Sequence, residues 1–357
     1  MTEEVKFLKY ISQFEIPAKK LNEIIELMGK PSIDRFLGLS ELGKFFRSET
    51  IEDMCIKASE ENVRSYFHNL EEQHIGIVTK YDPEWPEKFV GNDDFPLYLF
   101  YKGDLSLMKK TSIAIVGSRE TTNYGRIVTD RFAAELAEAG IVIVSGLAYG
   151  VDSIAHRKCL EVGGKTIAVL GCGFNRMYPA EHTNLAREIA EKGLLLSEYC
   201  PSTKAGRYTF PYRNRIVAAL SDGVLITEAG LKSGTVHTKN YALDYGKTVY
   251  CVPGNITSEK SELTNTLIAA HHAQCVVKAK DILDDLDIVG YSKPKARVMQ
   301  LGLVEEKIVE ILKNGEKDID FLAEKCEISV ISLNTYLTTM EISGIIRRMP
   351  GGYFALA

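Results

Sequence analysis

The chain has 357 residues, of which 45% are hydrophobic and 25% charged, proportions typical of a folded globular protein and not of a disordered chain. The seven cysteines are scattered without a Cys-x-x-Cys pair, which favours reduced thiols over a disulfide framework or a zinc site. No apolar run approaches the roughly 18 residues that a membrane span needs, and Met1-Thr2-Glu3-Glu4 does not begin a signal peptide. We therefore expect a cytoplasmic protein without membrane association.

Charge is unevenly distributed along the chain. The net charge of −5 by itself disfavours a nucleic-acid partner, because affinity for phosphate comes from Lys and Arg. The acidic excess lies at the ends, however: residues 1–75 hold 10 basic and 14 acidic side chains, and residues 300–357 hold 6 and 9. Residues 199–221 contain four basic side chains and no carboxylate. Such a local basic stripe is what nucleic-acid binding requires, whatever the total charge.

The first predicted elements in chain order are helices. Apolar residues recur at helical spacing through residues 4–75, interrupted by Pro17, Gly29-Lys30-Pro31 and Gly43, which predicts a small helical module. The following polar and aromatic stretch, 81–100, predicts a connecting arm with one short strand.

From residue 112 onward the pattern predicts a parallel sheet. Short β-branched runs alternate with helical stretches, as in βαβ units whose strands are covered on both faces. The predicted strands are Ile113–Val116, Ile141–Val144, Thr166–Leu170, Leu194–Ser197, Val224–Thr227 and Thr248–Val252. The fold class is therefore α/β with a Rossmann-like core, and ligands on such sheets bind at the carboxyl ends of the strands.

The C-terminal part predicts a separate small module. Helices over Val304–Lys313, Asp318–Lys325 and Val330–Ile342, followed by a hairpin with a glycine turn, are typical of a winged helix-turn-helix. The chain then divides into an N-terminal helical module (1–75), an extended Rossmann-like core (76–282), a linker (283–300) and a winged-helix module (301–357).

Two loops at predicted strand ends carry groups suited to phosphate. Gly117-Ser118-Arg119 follows the first strand and leads into a helix, where free backbone N–H groups, a hydroxyl and a guanidinium favour phosphate binding over a plain turn. In the second loop, Ser145–Asp152, the glycines Gly146 and Gly150 serve either close ligand approach or helix packing.

Two further loops add aromatic and basic side chains. Phe210 precedes Arg213 and Arg215 at the start of an apolar helix. Aromatic faces stack on bases at roughly 1 to 3 kcal/mol each, while arginines hold the nucleic-acid backbone. The alternative is a charged helix start in which Phe210 serves only as an anchor in the protein core. The last loop, Glu228–Thr235, places small residues and Lys232 before a helix.

Several catalytic motifs are excluded. The first loop lacks the Gly-x-Gly-x-x-Gly fingerprint of dinucleotide sites, and Gly164-Lys165-Thr166 and Gly246-Lys247-Thr248 lack the earlier glycine of a P-loop. The histidines have no partners at metal-site spacing, so we predict no metal and no cofactor. Glu198 and Glu228, at predicted strand ends, leave carboxylate catalysis as the enzymatic alternative.

In combination, these motifs resemble the DprA/Smf family of DNA-processing proteins. They follow one another in the family's order between Tyr81 and Ile268. The segments that carry the resemblance include Ile115-Val116-Gly117-Ser118-Arg119, Ser145-Gly146-Leu147-Ala148, Gly150-Val151-Asp152, Tyr178-Pro179, Phe210-Pro211, Arg213-Asn214-Arg215 and Lys232-Ser233-Gly234-Thr235.

The resemblance implies a non-catalytic protein that forms homodimers through its core, with a SAM-like N-terminal module. Such a protein binds and protects single-stranded DNA and loads the RecA recombinase onto it during natural transformation. The DNA-binding residues that the resemblance implies are Gly117, Ser118, Arg119, Gly146, Gly150, Arg207, Phe210, Arg213, Asn214, Arg215, Lys232, Ser233, Gly234 and Thr235. Ser118 and Arg119 would hold phosphate. At Tyr149 the family usually has Arg, so one cation is lost or replaced by a stacking surface.

Two other functions were weighed. Phosphoribohydrolases on a related fold carry Pro-Gly-Gly-x-Gly-Thr-x-x-Glu, and Thr238 stands where their catalytic Glu belongs. A transcription regulator would act through the winged helix, but its predicted recognition helix, 329–343, has one Glu and no Lys or Arg. We therefore predict that this module does not read duplex DNA and instead contacts protein or controls access to the core.

Overall fold

A computed structural model describes residues 1–89, 92–288, 302–342 and 345–356. Contacts divide the chain into two units, Met1–Tyr291 and Ser292–Ala357. Most of the predicted linker, 289–300, lies outside the described residues. None of the helices that the structure describes is long and apolar enough to cross a bilayer.

The predicted N-terminal helical module is confirmed. Its helices are α1 (Glu3–Ile11), α2 (Ala18–Met28), α3 (Ile33–Leu37), α4 (Leu42–Phe45), α5 (Ser48–Lys57) and α6 (Glu60–Glu72). Three of them begin at hydroxyl N-caps, because Thr2 accepts from the amide of Val5, Ser32 from that of Arg35 and Ser59 from that of Asn62. The apolar faces of these helices enclose a core that includes Phe7, Leu21 and Phe36.

The first unit is built on one nine-stranded sheet. Its strands are β1 (Gly76–Thr79), β2 (Tyr98–Gly103), β3 (Ser112–Val116), β4 (Val142–Ser145), β5 (Thr166–Leu170), β6 (Leu194–Ser197), β7 (Gly223–Ile226), β8 (Thr248–Cys251) and β9 (Gln274–Cys275). Their order is β1-β2-β6-β5-β4-β3-β7-β8-β9, with β2 antiparallel to both of its neighbours and all other pairs parallel. The six predicted strands are confirmed to within one residue at each end, and β1 and β9 were not predicted.

Helices cover both faces of the sheet. They are α7 (Asn123–Glu138), α8 (Val151–Glu161), α9 (Thr183–Lys192), α10 (Thr209–Leu220), α11 (Thr235–Asp244), α12 (Glu262–Ala269) and α13 (Ala279–Asp285). Successive strand residues point to opposite faces. Accordingly Ala114 packs with α10, α11 and α12, whereas its neighbour Ile115 packs with α7, α8 and α13.

The N-terminal helices share their core with the edge of the sheet. Ile77 of β1 and Phe100 of β2 are buried among the side chains of the helical module. Leu99, the neighbour of Phe100, belongs instead to the central core. The antiparallel hairpin β1–β2 therefore attaches the helical module to the parallel sheet.

The order of the strands creates a topological switch point. From β3 the chain moves outward through β4, β5 and β6, and then returns to β7 on the other side of β3. The loops after β3 and β7 therefore lead away from each other at neighbouring carboxyl ends. A crevice between such loops is where sheets of this kind bind ligands.

The second unit contains three helices and a small sheet. These elements are α14 (Leu303–Leu312), β10 (Lys317–Asp318), α15 (Ile319–Cys326), α16 (Val330–Ile342), β11 (Ile346–Arg348) and β12 (Tyr353–Leu356). The strands are antiparallel in the order β10-β12-β11, and Ile308, Leu322 and Phe354 lie in the core. The predicted helices and hairpin are present; that the unit acts as a winged helix remains a prediction.

Candidate nucleic-acid interface

A cavity of about 700 Å³ opens at the switch point. The loops after β3, β4 and β7 form its walls together with the first turns of α10 and α11. It brings together most of the predicted DNA-binding residues: Gly117, Ser118, Arg119, Gly146, Phe210, Arg213, Asn214, Lys232, Ser233, Gly234 and Thr235. Gly150, Arg207 and Arg215 do not line it.

The first loop holds its backbone by internal hydrogen bonds and leaves Arg119 free. The amide of Ser118 donates to the carbonyl of Glu228 at 2.7 Å, and its hydroxyl donates to the carbonyl of Glu120 at 2.8 Å. A Cβ at Gly117 would lie 2.6 Å from the same Glu228 oxygen, so only glycine fits there. Arg119 is exposed and makes no ion pair with any residue that the structure describes.

The guanidinium of Arg119 lies over an aromatic ring. Its central carbon is 5.5 Å from the ring centre of Phe210, within the range of a cation–π contact. Phe210 in turn packs on Gly171, where a Cβ would approach the ring to 2.7 Å. A cation and an aromatic ring are thus presented together at the cavity.

Gly150 packs against the backbone of the first loop. Its φ of 70° is in the left-handed region, and a Cβ would collide with the carbonyl oxygens of Ser118 and Arg119. The amide of Val151 donates to the Ser118 carbonyl at 3.1 Å. Gly150 therefore contributes by close backbone packing and does not line the cavity.

Arg213 is buried beneath the second loop. Its Nη1 donates to the carbonyl of Gly146 at 2.7 Å and to that of Val169. The Asp152 carboxylate accepts from the amides of Gly146 and Ala148 at 3.1 and 3.3 Å. Burial lowers the pKa of Arg213 while Asp152 opposes the shift. Arg213 therefore holds the loop after β4 in place, although it also lines the cavity.

Arg215 has a different position from the one expected. Its side chain is fully buried, and Nη2 donates to both carboxylate oxygens of Glu198 at 2.6 and 2.7 Å. The guanidinium also lies 4.0 Å from the ring centre of Tyr212. A guanidinium enclosed and paired in this way is not available to phosphate. The expectation that Arg215 contacts the DNA backbone is therefore corrected.

The loop after β7 supplies a second free cation. Lys232 is exposed and, within the described ranges, forms no ion pair. Ser233 accepts from the amide of Thr235 at 3.2 Å, where α11 begins. The unpaired N–H groups of a helix N-terminus favour anions, so this end of α11 adds a partial positive charge to a cavity that the carboxylates of Glu120, Glu259 and Glu262 also line.

The two carboxylates considered for catalysis are both engaged internally. Glu198 is paired with Arg215, and Glu228 accepts from the amide of Thr122 at 2.9 Å and from its hydroxyl. The described part of the chain has no group of His, Cys, Asp or Glu that could hold a metal ion.

His156 is a buried, neutral histidine. Thr166 donates its own proton to the carbonyl of Ile143, so its hydroxyl oxygen accepts from Nδ1 of His156 at 2.7 Å. Burial lowers the pKa of His156 to about 3. The ring therefore carries no charge at neutral pH and serves packing beneath the second loop.

Sequence reasoning missed one cation at the site. Lys260 lines the cavity and pairs with Glu120 at 3.2 Å, but it follows no strand end that would have drawn attention to it. Tyr149 lies outside the cavity and donates to Glu181 at 2.6 Å. Tyr178 packs beside Phe210, with ring centres 5.4 Å apart. The sequence drew attention to Tyr149 and Tyr178, but only the fold shows that neither of them lines the cavity.

The fold and the site define an α/β protein with a Rossmann-like sheet and a partly basic cavity at its switch point. Comparison with known proteins is consistent with that class. The family model described as DNA recombination-mediator protein A matches residues 76–287, and the chain belongs to this family.

Curated relatives and solved structures support the assignment. Protein Smf of Escherichia coli is 35% identical over 296 residues, covering 80% of this chain and 79% of that protein. The X-ray structure of DNA processing protein A from Streptococcus pneumoniae matches with a TM-score of 0.68 and 29% identity, over 80% of this chain and 98% of that one. The homologue from Helicobacter pylori, described for its single-stranded DNA binding mode, matches with a TM-score of 0.54 and 35% identity, over 60% and 96%.

Proposed function

We propose that this protein binds single-stranded DNA at the switch-point cavity and catalyses no reaction. The observation that carries the proposal is that Arg119 and Lys232, which form no ion pair among the described residues, line one cavity together with the ring of Phe210. Cations that hold the phosphates and an aromatic face that stacks on a base are the two components of sequence-independent single-strand binding.

The engaged carboxylates argue against hydrolysis. Glu198 and Glu228 are each held by internal donors, and Thr238 is buried where a phosphoribohydrolase would have its Glu. A general base must reach the proton that it removes, and neither carboxylate is free to do so.

Within this proposal the protein protects incoming DNA and loads the RecA recombinase onto it during natural transformation, as a cytoplasmic homodimer that pairs through its core. Family membership supports these finer steps, and the name of the H. pylori relative supports the nature of the DNA. The division into 1–75, 76–282, 283–300 and 301–357 belongs to the same proposal.

The direct test is binding of fluorescent single-stranded and duplex oligonucleotides across a range of salt concentrations. We expect Arg119→Ala and Lys232→Ala each to weaken single-strand binding and to lower the slope of log affinity against log salt by about 0.7, the value for one phosphate contact on a single strand. Arg157→Ala, which removes an exposed arginine on α8, is the matched control. If Arg119→Ala and Lys232→Ala bound single strands as tightly as Arg157→Ala does, the assignment of the cavity as the binding site would be refuted.

A further inference from the structure

A second group of exposed aromatic and basic residues lies beside the cavity, on the loops that follow β5 and β6. We call it the basic–aromatic strip, and it consists of Arg176, Tyr178, Lys204, Arg207 and Tyr208. Tyr208 is 80% exposed and Tyr178 is 48% exposed. Neither tyrosine lines the cavity. Only Arg207 was among the predicted DNA-binding residues.

Backbone hydrogen bonds join the two loops. The amide of Gly173 donates to the carbonyl of Thr203 at 2.9 Å, and that of Asn175 donates to the carbonyl of Pro201 at 2.8 Å. A Cβ at Gly173 would collide with the Cys200 and Pro201 carbonyls, which shows how closely the backbones approach. The loops after β5 and β6 therefore present their side chains on one joint surface.

The strip is continuous with the cavity through Phe210. The ring of Tyr178 lies 5.4 Å from that of Phe210 at an angle of 53°. Phe210 itself lines the cavity and lies beneath Arg119. A strand that leaves the cavity over Phe210 therefore meets Tyr178 next.

The cations of the strip are unpaired. Arg176, Lys204 and Arg207 are exposed, and among the residues described here none has a carboxylate within ion-pair distance. The guanidinium of Arg207 lies 6.0 Å from the ring centre of Tyr208, so it does not cover that ring in close contact. The nearby exposed carboxylate of Glu181 already accepts a hydrogen bond from Tyr149. A second carboxylate, that of Glu15, accepts from the Cys200 amide on the loop after β6. With three cations and two nearby carboxylates, the strip keeps a small excess of positive charge.

Exposed tyrosines between unpaired cations point to an unpaired polynucleotide. An isolated exposed aromatic needs no explanation, but here two exposed rings and three exposed cations share two loops that are joined by backbone hydrogen bonds. Bases of a single strand stack on such rings irrespective of sequence, and the cations hold the phosphates between them. In a duplex the bases are already stacked and paired, so their faces are not available to the tyrosines.

We propose that the basic–aromatic strip is a second subsite for single-stranded DNA, which binds the nucleotides adjacent to those in the cavity. Tyr178 and Tyr208 each stack on one base, while Arg176, Lys204 and Arg207 contact phosphates. The proposal rests on the proposed function of the cavity and adds the path that the strand takes beyond it.

The test is a length series of fluorescent oligothymidylates, from about 4 to about 16 nucleotides, the range of site sizes known for single-strand-binding folds. Tyr208→Ala and Tyr178→Ala should leave the shortest oligonucleotide bound as before and weaken the longest by about 5- to 150-fold each, the range that corresponds to the loss of one stacked base. Tyr208→Phe should restore binding because the ring is kept. The salt slope should stay unchanged in the tyrosine variants and fall by about 0.7 in Lys204→Ala.

Tyr81→Ala is the matched control, because Tyr81 is also exposed and lies near a cation, Lys80, at 5.3 Å. Melting curves establish that every variant is folded. Unchanged affinity of the tyrosine variants at all oligonucleotide lengths would overturn the proposed subsite. An equal loss of affinity at every length would also overturn it, because both rings would then belong to the cavity site. If the wild-type protein bound no oligonucleotide of any length, the proposed function itself would be refuted.

Discussion

Replacing Arg215 by methionine should make the protein easier to unfold without removing a DNA contact. The Arg215 side chain is fully buried, and Glu198, its bidentate partner, is only 14% exposed. Methionine keeps much of the buried length of the arginine side chain but removes the charge. Glu198 would then lie in the interior without its countercharge.

The expected cost follows from this burial. Removing one partner of a buried ion pair destabilises a protein by about 3 to 5 kcal/mol, because the other charge stays desolvated. For this unit, Met1–Tyr291, the unfolding entropy is about 0.6 kcal/mol/K, so the loss corresponds to a melting temperature lower by roughly 5 to 8 °C. The double variant Arg215→Met/Glu198→Met should recover most of the loss, because it leaves no buried unpaired charge. Asp94, which lies 3.6 Å from Nε of Arg215, is 43% exposed and stays hydrated.

The loss of stability should depend on pH. Burial raises the pKa of Glu198, and Arg215 opposes that shift. Without Arg215 the pKa in the folded state rises further above its value in the unfolded chain. A group of this kind stabilises the folded state at low pH and ceases to do so as the pH rises through its folded pKa. The difference from wild type should therefore be small near pH 4 and grow toward neutral pH.

Two measurements test the structural role of Arg215. The first is thermal unfolding of the wild type and both variants from about pH 4 to pH 8. The second is the single-strand affinity of the same proteins at a temperature well below the melting temperature. We expect Arg215→Met to bind within about threefold of wild type, because no phosphate contact is lost. A variant with unchanged melting temperature and an affinity as low as that of Arg119→Ala would show that Arg215 contacts DNA after all.

Three further outcomes are expected. Gly146→Ala should lower both the melting temperature and the single-strand affinity, because a Cβ there would collide with the Arg213 guanidinium; normal values of both would contradict the packing described. Glu15→Gln should weaken binding of long oligonucleotides by less than about tenfold, since the carboxylate that accepts from the Cys200 amide positions the loop after β6; a short oligonucleotide is the control. Deleting 302–357 should leave the single-strand affinity within about twofold of that of the full chain. The regulator function would be revived if the full chain bound duplex DNA with a Kd below about 10⁻⁶ M and the deletion abolished that binding.

The sequence by itself determined the parallel sheet and the location of its loops. Continuous apolar runs between helical stretches require strands covered on both faces, and this periodicity is a local property of the chain. Gly117 and Gly146 marked the close approaches in the same way, because glycine at a strand end signals a backbone without room for a side chain. β9 was missed because it has only two residues, both exposed.

The tertiary structure alone decided which arginines are free. Arg213 and Arg215 are two residues apart on α10, so at 3.6 residues per turn their side chains point to nearly opposite sides of the helix. One therefore holds the second loop and the other pairs with Glu198, a partner 17 positions away in sequence, so neither guanidinium is exposed as that of Arg119 is. Tyr178 joins Phe210 only because β5 and β6 are neighbours in the sheet. Such pairings are absent from any local pattern, since they depend on the long-range order of the strands.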